Sequence, residues 1–200
     1  MKTITNENSE YVNENFKGLD CVGEMFYELH FEDCLFEDCD FSEASFNACK
    51  FTECQFIKCN LSLLKISECK FYEVLCRDSK VIGIDWTTAS WSSILTCSPI
   101  QFFNCILNDS SFFGLNLNEL VIEGCKAVDV DFREGDFNSS NFTYTDFNNA
   151  LFRETNLSSV NFTEAENYNI DIYINEIKNA IFSRFEAVKL LESIDIKLVD

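Results

Sequence analysis

One histidine, one proline, six glycines and two methionines are spread over 200 residues, and 15 lysines and arginines face 34 aspartates and glutamates. Each shortage excludes something. His30 has no second imidazole to work with, and the chain shows no glycine-rich phosphate loop, nucleophile elbow or metal signature. No enzyme is expected, and no catalytic, cofactor-binding or metal-binding residue is assigned. The net charge of −19 on a 23.1 kDa chain argues against nucleic acid or an anionic membrane as a direct partner and favours a basic one. The scarcity of proline and glycine suits a backbone that repeats without interruption.

Phenylalanine, by contrast, is abundant at 21 residues, and it is periodic. A large apolar residue recurs every fifth position from Phe26 through Phe31, Phe36, Phe41, Phe46, Phe51 and Phe56 to Phe71, and again from Phe102 to Phe162. An amphipathic helix needs a period of about 3.6 and a strand a period of about 2, so this is an internal repeat. Two residues before the centre there is nearly always a small or thiol residue, as at Cys34, Cys39, Ala44, Cys49, Cys54 and Cys59. The residue just before the centre is often Asp or Asn, as at Asp40, Asn60, Asp136 and Asn161.

Units such as Ser140-Asn141-Phe142-Thr143-Tyr144 and Val160-Asn161-Phe162-Thr163-Glu164 resemble the pentapeptide-repeat family. The resemblance implies an all-β fold: a right-handed quadrilateral parallel β-helix with four units to a coil, about seven coils, and a small C-terminal helical cap. Coils stacked at about 4.8 Å would make a rod of about 35 Å. Large centres and small slots fill so narrow a tube, with Phe36 expected on Phe56 and Phe132 on Phe152. The expected division is an arm or irregular cap over 1–15, the β-helix over 16–165, and a helical cap and dimerisation segment over 166–200.

Eleven cysteines could suggest disulfides or a metal site. At twenty residues per coil, Cys34 lies under Cys54 and Cys39 under Cys59, with parallel Cα–Cβ vectors that suit a disulfide poorly. They are expected to be free thiols filling the small slot, which with no apparent signal peptide indicates a cytoplasmic home. Between Trp91 and Phe102 the centres are eleven residues apart instead of ten, read as a one-residue shift with a bulge or small loop at 92–101, where the only proline, Pro99, stands. Trp86 and Trp91 precede it, either as a widening of the tube or as a recognition element.

After Ala165 the pattern turns helical. A short helix is expected near 175–180, then a capping box of Ser183 with Glu186 and a helix presenting Phe185, Val188, Leu190 and Leu191 for a homodimer, with alternation over 194–198 suggesting a short strand. The run from Asn175 to Ser183, with Glu186-Ala187 and Leu190-Leu191, resembles the cap of the quinolone-resistance, mycobacterial fluoroquinolone-resistance and microcin-immunity branch. That resemblance implies a dimeric, DNA-like rod that binds DNA gyrase or topoisomerase IV and protects it from quinolones or peptide toxins, or modulates it. The alternative is a general scaffold for protein–protein interaction. The one-residue shift leaves no room for a long projecting loop.

Letting the break absorb one residue places Asp33, Glu53, Glu73, Ser93, Gly114, Glu134 and Glu154 in one column. Its five carboxylates, Asp33, Glu53, Glu73, Glu134 and Glu154, are the candidate topoisomerase-binding face, with Arg133 and Arg153 as local neutralisers. A second acidic region, residues 20–45, holds nine carboxylates and no lysine or arginine.

Overall fold

The computed structural model describes residues 3–91, 98–194 and 196. They form a right-handed quadrilateral parallel β-helix of about eight turns, closed at its C-terminal end by a short 3-10 helical segment, Glu186–Ile194. One wall is a four-stranded parallel sheet of Glu10–Val12, His30–Glu32, Lys50–Thr52 and Lys70–Tyr72. The next wall is a six-stranded sheet built from Asn15–Lys17, Leu35–Glu37, Gln55–Ile57, Val74–Arg77, Ile100–Phe103 and Val121–Glu123.

Outside the break and the Phe152–Ile170 bridge, paired residues are twenty positions apart, as Phe36 and Phe56 are, so equivalent positions of the repeat stack. Phe36 lies parallel to Phe56 with ring centroids 4.6 Å apart, and Phe132 to Phe152 at 5.1 Å. The pairing begins at Glu10 with His30 and runs on to Phe162 with Phe182. Coils therefore extend past both ends of the 16–165 span, which accounts for the turn beyond the seven expected. Where a helix was expected near 175–180, another coil stands: Asn175 fills the slot, accepting from the Thr155 N–H at 3.0 Å and donating to the Phe152 carbonyl at 3.1 Å.

The ten described cysteines are free and buried, while Cys97 lies outside the described residues. Their hydrogen bonds give the thiols a purpose beyond size. Cys34, Cys54 and Cys59 donate to the carbonyls of Tyr11, Phe31 and Phe36 in the coil below, at 3.3, 3.4 and 3.3 Å. Ser79, Thr145 and Thr155 make the same bond from the same slot, to Phe56, Ile122 and Phe132. Where the slot is Ala44, Ala150 or Val160, its N–H instead closes a tight turn onto the carbonyl three residues back. Cys69 and Ser110 do both, closing the turn with the N–H and donating to the Phe46 and Val81 carbonyls of the coil below, so buried backbone groups find partners by either route. Burial pushes the Cys21 thiol up to about 11 and holds Cys76 well above the ordinary thiol range.

The break differs from expectation. Val74 pairs with Ile100 and Lys80 with Ile106, an offset of 26 instead of 20, so the chain carries six extra residues there and not one. Six residues, unlike one, give length enough for a projecting loop. Residues 92–97 lie outside the described residues. Trp91 stacks on Phe71 at 5.7 Å and donates its indole N–H to the Trp86 carbonyl at 2.9 Å, while Trp86 is buried and stacked on Phe112. Both indoles pack into the tube, as the widening requires.

The expected capping box is absent. The Ser183 hydroxyl accepts from the Glu164 N–H and donates to its carboxylate, while the Glu186 carboxylate binds Lys189 at 2.6 Å and accepts from the Asn167 N–H. Of the alternating 194–198 stretch, Ile194 ends the 3-10 segment and Ile196 is exposed without regular structure. The rest lies outside the described residues.

Candidate interaction faces

Most corners of the coils turn on a residue in the left-handed region. Asp33, Glu53 and Glu73 have φ of 51°, 53° and 53°, and Glu134 and Glu154 have 58° and 55°. Such a residue projects away from the tube, and all five carboxylates are exposed. Asp33, Glu53 and Glu73 stand in successive coils on one corner, since the Asp33 N–H bonds the Thr52 carbonyl and the Glu53 N–H the Tyr72 carbonyl. With Gln55, Leu75 and Gln101 they line a shallow open groove of about 320 Å³.

Glu134 and Glu154 are not in that column. The six-residue offset carries the Asp33 corner through Pro99 to Glu119, in register with Val74, Ile100 and Leu120. It carries Glu134 and Glu154 to the neighbouring corner instead, below which stand Glu28, Ala48, Glu68 and Thr88. Glu119 and Glu68 are thus corner carboxylates that sequence reasoning missed. On the Glu134 side, Arg153 lies 3.6 Å from Glu154, and Arg133 makes a two-point contact with Asp131 and lies over the Phe113 ring. Those hydrogen bonds from Arg133 hold the Asp131 carboxyl below the usual range. Beside the Asp33–Glu53–Glu73 corner Glu32 is also exposed, and Lys50 and Lys70 stand on the adjoining wall, Lys50 over the Tyr72 ring at 5.3 Å.

At the C-terminal end Phe185 is 89% exposed and Val188 43%, whereas Leu190 and Leu191 are half-buried, Leu190 against the core. No group of His, Cys, Asp and Glu among the described residues is arranged to hold a metal ion, and no described helix is long and apolar enough to cross a membrane.

Stacked coils of four five-residue units, closed around an aromatic core and charged at the corners, define a solenoid that presents flat walls and straight charged edges. The model of the pentapeptide repeat region matches residues 29–96 and 97–162, and the chain belongs to the pentapeptide-repeat family. Among solved structures, a trypsin-treated form of QnrB1, a plasmid-mediated fluoroquinolone resistance protein, superposes with a TM-score of 0.67 at 18% identity, covering 92% of this chain and all of that one (100%). Full-length QnrB1 superposes with a TM-score of 0.57 at 19% identity over 94% of this chain and 100% of its own. At such identities the likeness is one of fold. No curated protein sequence matches the chain.

Proposed function

We propose that this protein is a DNA-mimicking binder of a type II topoisomerase, DNA gyrase or topoisomerase IV, which it protects from a quinolone or peptide toxin or whose activity it modulates. The observation that carries the reading is the straight column Asp33–Glu53–Glu73 on a rigid rod of net charge −19. Its pitch of about 4.8 Å is of the same order as the roughly 3.4 Å between charges along one DNA strand. The spacing is shorter than the Debye length of about 8 Å at physiological salt, so the carboxylates act together on a cationic groove. The fold shared with a fluoroquinolone resistance protein supports the same reading. Glu134 and Glu154 form a second, partly neutralised edge, and the acidic stretch from Asp20 to Glu43 extends the field toward the N-terminus.

The active form in this reading is a cytoplasmic homodimer. Phe185 and Val188, with Leu190 and Leu191 behind them, supply the apolar surface for a two-fold contact, and the buried free thiols suit a reducing compartment. The test is a supercoiling assay with purified gyrase, with and without ciprofloxacin and a gyrase-directed peptide toxin. Rescue or inhibition that weakens in the triple variant Asp33→Asn, Glu53→Gln, Glu73→Gln is the expected result. No effect of the wild-type protein in any arm leaves the general scaffold as the better description.

A further inference from the structure

Beside the acidic corner, the six-stranded wall carries a column with no charge at all. Parallel pairing aligns Asn15, Leu35, Gln55, Leu75, Gln101, Val121, Asn141, Asn161 and Ile181 along nearly the whole rod. On a chain that is 24% charged this is the outward column of the six-stranded wall best suited to an apolar contact. Leu35, Leu75 and Val121 are half-buried on the outer surface, with Ile57 and Phe103 in the adjoining column, where Arg77 lies over the Phe103 ring at 4.7 Å. The carboxylates Asp33, Glu53 and Glu73 flank this strip in the same open groove as Gln55, Leu75 and Gln101.

We infer that this wall is the seat of a basic amphipathic α-helix of a protein partner, laid along the rod with an apolar row on Leu35, Leu75 and Val121 and a lysine or arginine row against Asp33, Glu53 and Glu73. The inference rests on the reading of that corner as the partner-binding edge. Spacing selects a helix over a strand. Leu35, Leu75 and Val121 recur every second coil, about 9.6 Å apart, and residues i and i+7 of a helix are about 10.5 Å apart. The carboxylates recur every coil, at about 4.8 Å, and helical neighbours at i+3 and i+4 are about 4.5–6 Å apart. Alternate residues of an extended strand, about 6.7 Å apart, match neither ladder. Apolar contact supplies the affinity and the charged flank fixes the side on which the helix lies.

The probe is a fluorescein-labelled peptide of about 18 residues, with leucines at i, i+7 and i+14 and lysines along one flank, titrated by anisotropy in about 0.15 M salt. Comparison peptides are a scrambled sequence of the same composition and a version with glutamate in place of lysine. The helical peptide should bind the full-length protein at least tenfold more tightly than either, and the double variant Leu35→Ser, Leu75→Ser should lose at least tenfold. Leu151→Ser, an exposed leucine on the opposite wall, should change nothing, and unchanged thermal melts confirm that all variants fold. Failure of the helical peptide to bind, equal binding of the scrambled one, or wild-type binding by the Leu35/Leu75 variant overturns the inference. With gyrase as titrant, loss in the Asp33/Glu53/Glu73 variant but not in the Leu35/Leu75 variant overturns the helix seat and leaves the functional reading standing. Loss in neither removes both.

Discussion

Phe36 is fully buried between two parallel rings, Phe16 at 5.1 Å and Phe56 at 4.6 Å, and it meets the edges of Phe31 and Phe41 at 5.5 and 5.7 Å. Replacing it with alanine empties a site whose walls are hydrogen-bonded coils that cannot collapse inward. The expected cost is about 3–5 kcal/mol, toward the upper end because two stacked pairs, each contributing about 0.5–1.5 kcal/mol beyond burial, disappear together. Phe36→Leu, which keeps most of the volume, should cost about 1–2 kcal/mol. In a solenoid each coil touches only its neighbours, so the loss should stay local. Native-state hydrogen exchange reads this directly. The Leu35 and Gln55 amides, bonded to the Glu14 and Cys34 carbonyls, should lose protection by roughly a thousandfold or more in the alanine variant. The Phe142 and Asn156 amides, several coils away, should keep theirs. An equal loss at Phe142 would show that the rod unfolds as one cooperative unit and would refute the local account.

Three further outcomes follow from the slot and the corners. Gly135 occupies a slot in which an added Cβ would collide with the Phe137 ring, meeting its Cζ at 2.7 Å and the Leu115 carbonyl oxygen at 3.2 Å. Gly135→Ala should therefore lower the urea midpoint by an amount equivalent to about 1–3 kcal/mol, and an unchanged midpoint would contradict the overpacking argument. Cys59→Ser should retain the bond to the Phe36 carbonyl and stay close to wild type, as Ser79 does one coil up, whereas Cys59→Ala should lose about 1–3 kcal/mol; equal melts for the two would deny the thiol its role as a donor. Arg133→Met should bring the Asp131 titration, followed by NMR, back up to the ordinary carboxylate range. Because the folded carboxyl titrates low, its contribution is fully present above the unfolded value and fades as pH falls through the folded one. The stability gap between wild type and variant should therefore close in acid, and an Asp131 titration that ignores the change would mean that Arg133 is not its partner.

The period of five, read from the sequence alone, determines which residues enter the tube. A centre such as Phe36 or Phe132 must be buried because the neighbouring units offer it no other apolar surroundings, and equal spacing forces like residues to stack. The exposed carboxylates at 33, 53, 73, 134 and 154 follow from the same period, since the second residue after each centre lies at a corner. The role of the thiols was not legible, because the carbonyl that Cys59 satisfies belongs to a residue 23 positions earlier and becomes its neighbour only when coils stack. The chain after Ala165 misled for a related reason: Ile177, Ala180 and Ile181 have the i, i+3, i+4 spacing of a helical face, while Asn175, Ile177 and Ala180 fit slot, centre and slot equally well, and only the bonds of Asn175 to the coil below choose between them.

The break shows the same division most sharply. A step of eleven between centres is ten plus one or five plus six, and a pattern that repeats every five residues cannot tell these apart. The parallel bond from the Val74 N–H to the Pro99 carbonyl decides for six. That choice leaves the centres from Phe102 to Phe162 buried and the Glu134 and Glu154 corners exposed, yet rotates all later residues by one corner. The sequence determined that Glu134 and Glu154 face outward. Only hydrogen bonding between coils decided that they stand on a different edge from Asp33, Glu53 and Glu73, because sidedness is a property of one unit whereas alignment along the rod is a property of the stack.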